Sequence, residues 1–164
     1  MPKTGIGVTV IRKEACDKVT GDARYTDDAI PVGILTAKTA VSTCAHGMIK
    51  RLDTAAAAAV PGVYAVLTGE NANVLYGSVI EARPPLARGK VRYYGEPVAL
   101  VVAESEFEAA KAAALIQVEY EPLPAVRSPS QAIQPDAPLI HAELCHYQTP
   151  VKDVYPEPGT NICD

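Results

Sequence analysis

The stretch Pro97-Val98-Ala99-Leu100-Val101-Val102-Ala103-Glu104-Ser105-Glu106-Phe107-Glu108-Ala109-Ala110-Lys111-Ala112-Ala113-Ala114-Leu115-Ile116-Gln117-Val118-Glu119-Tyr120-Glu121 changes its hydrophobic period twice. Pro97 to Ala103 is continuously apolar, as in a strand buried on both faces. Ser105 and Glu108 stand at the spacing of a capping box, in which a serine hydroxyl and a glutamate carboxylate satisfy the free N–H groups of a first turn. Phe107, Ala110, Ala114 and Leu115 then fall near helical spacing on one face. Gln117 to Glu121 alternates and stops at Pro122, so it reads as a half-exposed strand.

The same plan occurs earlier in shorter form. Met48 to Leu52 is a strand candidate, and Asp53 is a good N-cap because its carboxylate can accept from free backbone N–H groups. Thr54 to Val60 is a short alanine helix, stopped at Pro61-Gly62. Val63 to Thr68 is the next strand. Outside the two copies, Ile34 to Thr39 and Val91 to Tyr94 read as strands, and Ala29 to Gly33 as a turn. Ile6, Val8 and Val10 alternate as in a short strand or extended arm, and a turn is expected at Thr20-Gly21-Asp22. Gly69 to Lys90 is a long loop with extended pieces. Proline becomes dense from Ser128 onward, at 129, 135, 138, 150, 156 and 158. Only Ser130 to Ile133 suggests a helical turn there, and Ala142 to Asp164 reads as a linker or arm that needs a partner surface.

The 164 residues fit one domain of ordinary size. Fifteen Lys and Arg against nineteen Asp and Glu leave a net charge of −4, without a basic stripe. That argues against nucleic acid or an anionic membrane as partner. No apolar run reaches membrane-spanning length and no signal-peptide core stands at the N-terminus, so the expectation is cytoplasmic. Cys16, Cys44, Cys145 and Cys163 form no CxxC pair, which removes zinc ribbons, thioredoxin-type motifs and iron–sulfur runs.

Several constellations invite a chemical reading. Cys44 and His46, two apart on an expected strand, could be nucleophile and base, though a structural strand end is the stronger reading. His141, Cys145 and His146 could ligate zinc, but three ligands within six positions of a proline-rich stretch make a poor tetrahedral site. Glu104, Glu106, Glu108, Glu119 and Glu121 are best read as caps and solvated faces. The Ala55 to Ala59 run reads as a helix packed close to another element. Gly5-Ile6-Gly7 and Gly62 make no dinucleotide fingerprint. Exposed, semi-rigid Arg83-Pro84-Pro85 is expected to touch a neighbouring domain or partner subunit.

Four signatures in fixed order carry a family resemblance. Lys18-Val19-Thr20-Gly21-Asp22-Ala23-Arg24-Tyr25 with Asp28 comes first. Ile49 to Thr54 followed by Ala59-Val60-Pro61-Gly62-Val63-Tyr64-Ala65-Val66-Leu67-Thr68 is second. Pro85-Leu86-Ala87 with Lys90-Val91-Arg92-Tyr93-Tyr94-Gly95-Glu96-Pro97-Val98-Ala99 and Val101-Val102-Ala103-Glu104 is third, and Val118 to Val126 closes the series. Together they resemble the front of the large subunits of molybdenum hydroxylases, the xanthine dehydrogenase and aldehyde oxidase family. Two departures stand out: Gly69 to Ala82 lacks the usual pattern, and Gly47 follows His46 where alanine is common.

The resemblance implies an α+β fold, an α/β-hammerhead with mixed β-sheet and about two packed helices. It places an N-terminal arm at 1–16, the hammerhead at 17–127 and a proline-rich linker at 128–164, leading to cofactor-binding domains. It implies a structural and assembly role within an oxidoreductase that hydroxylates a purine, another N-heterocycle or an aldehyde, with no catalytic, cofactor-binding or metal residue in this chain. Molybdopterin-molybdenum would sit in later domains, and iron–sulfur clusters and FAD in other domains or subunits, as in multi-subunit bacterial enzymes. The alternative is a free-standing binding module derived from this domain. An orphaned domain should expose a large apolar patch, whereas a self-sufficient module should not.

Overall fold

The computed structural model describes Gly7 and residues 9–163, in two units, 1–34 and 35–164. Ile6 and Val8 of the expected arm lie outside the described residues, and Val10 is exposed without regular structure. In the first unit, helix α1 (Ala15–Thr20) ends at Gly21, whose φ of 83° is the left-handed cap that glycine tolerates. The Thr20 hydroxyl donates to the Asp22 carboxylate at 2.8 Å and fixes the expected turn. Sequence reading did not find α1 itself, because the helix buries no residue and so carries no apolar stripe.

The second unit holds β1 (Thr36–Val41), β2 (Gly47–Asp53), α2 (Ala55–Ala58), β3 (Val63–Thr68), β4 (Lys90–Val91), β5 (Pro97–Ala103), α3 (Glu106–Ala114), β6 (Gln117–Pro122) and α4 (Pro129–Ala132). The strands form two three-stranded sheets, ordered β1-β5-β3 and β4-β2-β6. All their pairings are antiparallel, which refines the expectation of a mixed sheet within the α+β class. The two strand–helix–strand copies explain this. Each copy starts in one sheet and finishes in the other, so β2 pairs with β6 and β5 with β3 across the copies. A one-turn helix such as α2 is too short to return a strand parallel beside its predecessor, which takes a dozen or more residues.

The N-cap of α2 is Thr54 rather than the expected Asp53, which stands one position earlier and accepts the Ala55 N–H at 3.0 Å. That bond, with the Arg51 cation, holds its carboxyl below the usual aspartate range. Ala57, Val60, Val101 and Ala112 form one core, with Val63, Val66, Ala113 and Ile116 packed around it. A second core of Ala87, Val91 and Val98 joins the two sheets, bounded by Ala40, Ile49, Val118 and Tyr120.

Two expectations need correction. The buried face of α3 is Ala109 and Ala112, with Ala113 and Ile116 beside it, while Phe107 is 73% exposed. Positions 109, 112, 113 and 116 satisfy helical spacing as well as 107, 110, 114 and 115 do, and the neighbouring sheet admits the smaller set. The strand expected at Val91 to Tyr94 is only Lys90–Val91. It ends because the Glu96 carboxylate accepts the Arg92 N–H at 2.5 Å and Gly95 turns with φ of 86°.

The proline-rich stretch makes specific contacts with this body. Ser128 caps α4 by accepting the Gln131 N–H at 3.2 Å. Asn161 accepts from Ile140 N at 2.9 Å and donates to the carbonyls of Ala132 and Pro138. Leu144 is buried, and Glu81 N donates to Gln148 O at 2.9 Å.

Candidate functional site

The loop after β3 folds back on itself. Tyr76 and Arg83 exchange backbone hydrogen bonds of 3.0 and 3.1 Å. The turn between them passes so close to the Ile80 carbonyl that a Cβ at Gly77 would collide with it. The Arg83 guanidinium consequently lies over the Tyr76 ring, 5.9 Å from its centroid. Beneath the loop, the β4–β5 turn presents Arg92 and Glu96, whose side chains are 14% and 7% exposed, with Nη1 and Oε1 3.5 Å apart. Arg92 Nη1 also donates to the Lys90 carbonyl, while its Nε is buried without a hydrogen-bond partner among the described residues.

Residues 139–148 complete the arrangement. Lys90 Nζ donates to Leu139 O at 3.2 Å. The His141 ring meets the Tyr147 ring edge-on at 5.6 Å, with Nδ1 3.2 Å from the Tyr147 hydroxyl. That hydroxyl also reaches the Glu143 carboxylate at 3.5 Å. A cleft of about 420 Å³ opens between Tyr76, Arg83, Pro85, Tyr93 and His141. A second cleft, about 330 Å³, holds Val74, Leu75, Arg88, Glu143 and Tyr147. Ala82, Pro84 and Arg92 line both clefts, so they form one continuous surface.

Arg83, Arg88 and Arg92 line the two clefts together with Glu96 and Glu143. Burial first, then the cations of Arg92 and Lys90, push the His141 imidazole down from 6.5 to about 4, with Glu143 opposing. Burial and Arg92 also lower the Lys90 ammonium. Burial raises the Tyr147 phenol. Groups with shifted titration gathered in a cleft mark a candidate site.

The other sequence candidates are arranged differently. Residues 42–46 are not strand. The Ser42 hydroxyl donates to Cys44 O at 2.8 Å and accepts from Cys44 N at 3.0 Å, which makes a tight turn. Cys44 Sγ contacts the His46 carbonyl, not its ring. The His46 ring, 3% exposed, lies 2.6 Å from Pro124 O. A carbonyl only accepts, so Nδ1 carries the proton and the buried Nε2 has no partner among the described residues. The turn therefore breaks the nucleophile–base geometry expected of a strand.

His141 faces Tyr147 while Cys145 and His146 are exposed neighbours, and no three His, Cys, Asp or Glu side chains converge among the described residues. Glu106 meets Lys38 at 3.2 Å, Glu119 meets Arg51 at 3.9 Å and Glu121 pairs with Lys50. Glu104 accepts from the Tyr64 hydroxyl. Ser105 donates to the Glu108 carboxylate, which together with a backbone N–H lowers that carboxyl. The solvated roles are those expected, but the expected capping box does not form: Ser105 is the N-cap of α3 without a side-chain cap hydrogen bond, its hydroxyl donating to Glu108 instead.

Sequence reading missed the Arg92–Glu96–His141–Tyr147 grouping. Its one local signal was a pair of opposite charges four residues apart beside an apolar run. The remaining partners come from 45 or more residues away.

The α/β hammerhead domain model of aldehyde oxidase and xanthine dehydrogenase matches residues 20–124. The carbon monoxide dehydrogenase large chain of Afipia carboxidovorans is 37% identical over 145 residues, 85% of this chain and 18% of that protein. The xanthine dehydrogenase molybdenum-binding subunit of Escherichia coli is 38% identical over 144 residues, 80% of this chain and 19% of that protein. Among solved structures, the aldehyde oxidoreductase of Desulfovibrio desulfuricans superposes with a TM-score of 0.73 at 34% identity, covering 91% of this chain and 17% of its own. The chain thus spans less than a fifth of the length of the relatives it matches. With its four ordered signatures and its two reciprocally joined antiparallel sheets, it belongs to the α/β hammerhead domain family of aldehyde oxidases and xanthine dehydrogenases.

Proposed function

We propose that this chain is the hammerhead domain of the molybdenum-binding subunit of a xanthine dehydrogenase-like hydroxylase, with a structural and assembly role and no chemistry of its own. The observation that carries this is the family match over 20–124 in a chain covering only 18–19% of its relatives. The whole enzyme would hydroxylate a purine, another N-heterocycle or an aldehyde carbon in the cytoplasm. Molybdopterin would be held by other domains, and iron–sulfur clusters and FAD by other domains or subunits. For an iron–sulfur cluster the donors do not fit: the four cysteines form no CxxC pair and no three metal-ligating side chains converge among the described residues. The domains divide as an arm at 1–16, the hammerhead at 17–127 and a connecting stretch at 128–164.

Exposed apolar surface supports an orphaned domain over a self-sufficient module. Val74, Leu75, Tyr76 and Tyr93 are exposed along the two joined clefts, in keeping with a face that packs on a neighbour. Arg83-Pro84-Pro85 lies at the centre of that face. The test is purification of the native protein with an antibody against this sequence, followed by intact mass, molybdenum content and dye reduction with purine, N-heterocycle and aldehyde substrates. A large molybdenum-containing polypeptide with one of these activities is expected. A free 17.3 kDa species without molybdenum would leave the binding-module reading instead.

A further inference from the structure

The face around Tyr76 and Tyr93 carries positive charge that its own residues do not neutralise. Arg83 is exposed and has no carboxylate at ion-pair distance among the described residues. Glu96 is already engaged by Arg92, and the nearby Arg88 uses Glu70 at 3.6 Å. At the cleft floor burial is the main cause that lowers His141 and Lys90, with the Arg92 cation adding to it in both. Tyr76 and Tyr93 line the same cleft as Arg83, Val74 and Leu75 line the adjoining one, and all four are exposed. A planar guanidinium resting on an aromatic ring keeps its fork of donors free, and that fork matches a carboxylate.

We infer that this surface seats a carboxylate-bearing segment from the remaining length of the same subunit, with an Asp or Glu side chain pairing with Arg83 while apolar neighbours cover Tyr76 and Tyr93. The inference rests on the reading of the chain as one domain of a longer subunit. Relatives of which it spans 18–19% leave ample sequence for such a segment. Residues Ile140 and His141 of this chain already line the cleft. A segment tethered to the same polypeptide meets the face at a far higher effective concentration than a separate chain does. The occupant differs from a freely diffusing anion, which would need no apolar cover over the tyrosines.

The experiment uses the full native enzyme with Tyr76 replaced by the photocrosslinking residue p-benzoylphenylalanine. Intact mass is recorded first, and the crosslinked peptide is then identified after irradiation. The expected result is one crosslinked peptide of the same polypeptide, outside residues 1–164, containing Asp or Glu. Arg83→Glu should speed amide exchange across 74–85 by about tenfold or more, the loss of one charge-assisted hydrogen bond, while Arg83→Lys should keep most of the protection. Arg83 is exposed, so neither change threatens folding. A crosslink to a separate polypeptide, to a peptide without a carboxylate, or no crosslink with Tyr76 open to water overturns the inference while the long subunit still stands. An intact mass of only 17.3 kDa overturns the underlying reading, and the inference with it.

Discussion

Removing the Glu96 carboxylate tests how the cleft floor is held. Glu96→Ala takes the partner from a guanidinium that is 14% exposed and the acceptor from the Arg92 backbone N–H. Breaking a buried pair on one side typically costs about 3–5 kcal/mol, because the remaining charge stays buried and unpaired. The 3.5 Å separation between Nη1 and Oε1 is loose, and Nη1 keeps the Lys90 carbonyl, so the lower end applies, about 3 kcal/mol. In a chain of this size that corresponds to a melting temperature lower by about 6–12 °C. Glu96→Gln keeps the oxygen that accepts from Arg92 N and loses only the charge, so it should cost about 1–2 kcal/mol. Replacing both partners, as Arg92→Met with Glu96→Leu, should recover part of the loss, since two apolar groups leave no orphaned charge although the N–H of residue 92 still lacks its acceptor. The assay is urea unfolding followed by circular dichroism, comparing midpoints at constant slope. A cost below about 1 kcal/mol for Glu96→Ala at unchanged slope, or a double variant no better than the single one, would refute the reasoning.

Other outcomes follow from the same contacts. His141 has a folded-state value near 4 against 6.5, so the unfolded chain takes up a proton first. Stability should be full above about pH 6.5 and fall as pH drops toward 4. The full shift would be worth about 3.4 kcal/mol, and partial exposure of the ring reduces the expected loss to about 1–2 kcal/mol. Urea midpoints at pH 7 and pH 5 should therefore differ more in the wild type than in His141→Gln, and equal differences would count against the cluster. Ala112→Leu, on the buried face of α3, should cost about 1–3 kcal/mol by overpacking. Phe107→Ala, on the open face, should stay within about 0.5 kcal/mol, and the reverse order would mean that the helix is rotated. Val101→Ala removes two methyl groups from a fully buried site and should cost about 2 kcal/mol in the same assay. Iodoacetamide should label Cys16, Cys145 and Cys163 before the half-buried Cys44, and rapid selective labelling of Cys44 would revive it as a nucleophile.

The sequence alone determined the local elements that announce themselves through period and punctuation. β3 and β5 have the residue limits read from the chain, and β6 extends one further residue to Pro122. The short helix was legible between Asp53, which accepts its first N–H, and Pro61-Gly62, although it ends sooner, at Ala58. The ordered signatures from Lys18 to Val126 were enough to place the family.

Tertiary structure decided what local chemistry leaves degenerate. An alanine-rich helix offers two faces of equal spacing, and only the neighbouring sheet chose Ala109 and Ala112 over Phe107. Strand propensity does not say which sheet a strand joins, so the exchange that pairs β2 with β6 and β5 with β3 was invisible until the chain folded. Cys44 and His46 looked aligned on an expected strand, yet the Ser42 turn sent the imidazole to Pro124. The Arg92, Glu96, His141 and Tyr147 grouping needed contacts across 45 to 55 residues, and no periodicity carries information over that distance. Burial then set the charges: the same histidine in an open linker would keep its ordinary value, and beside Arg92 and Lys90 it does not.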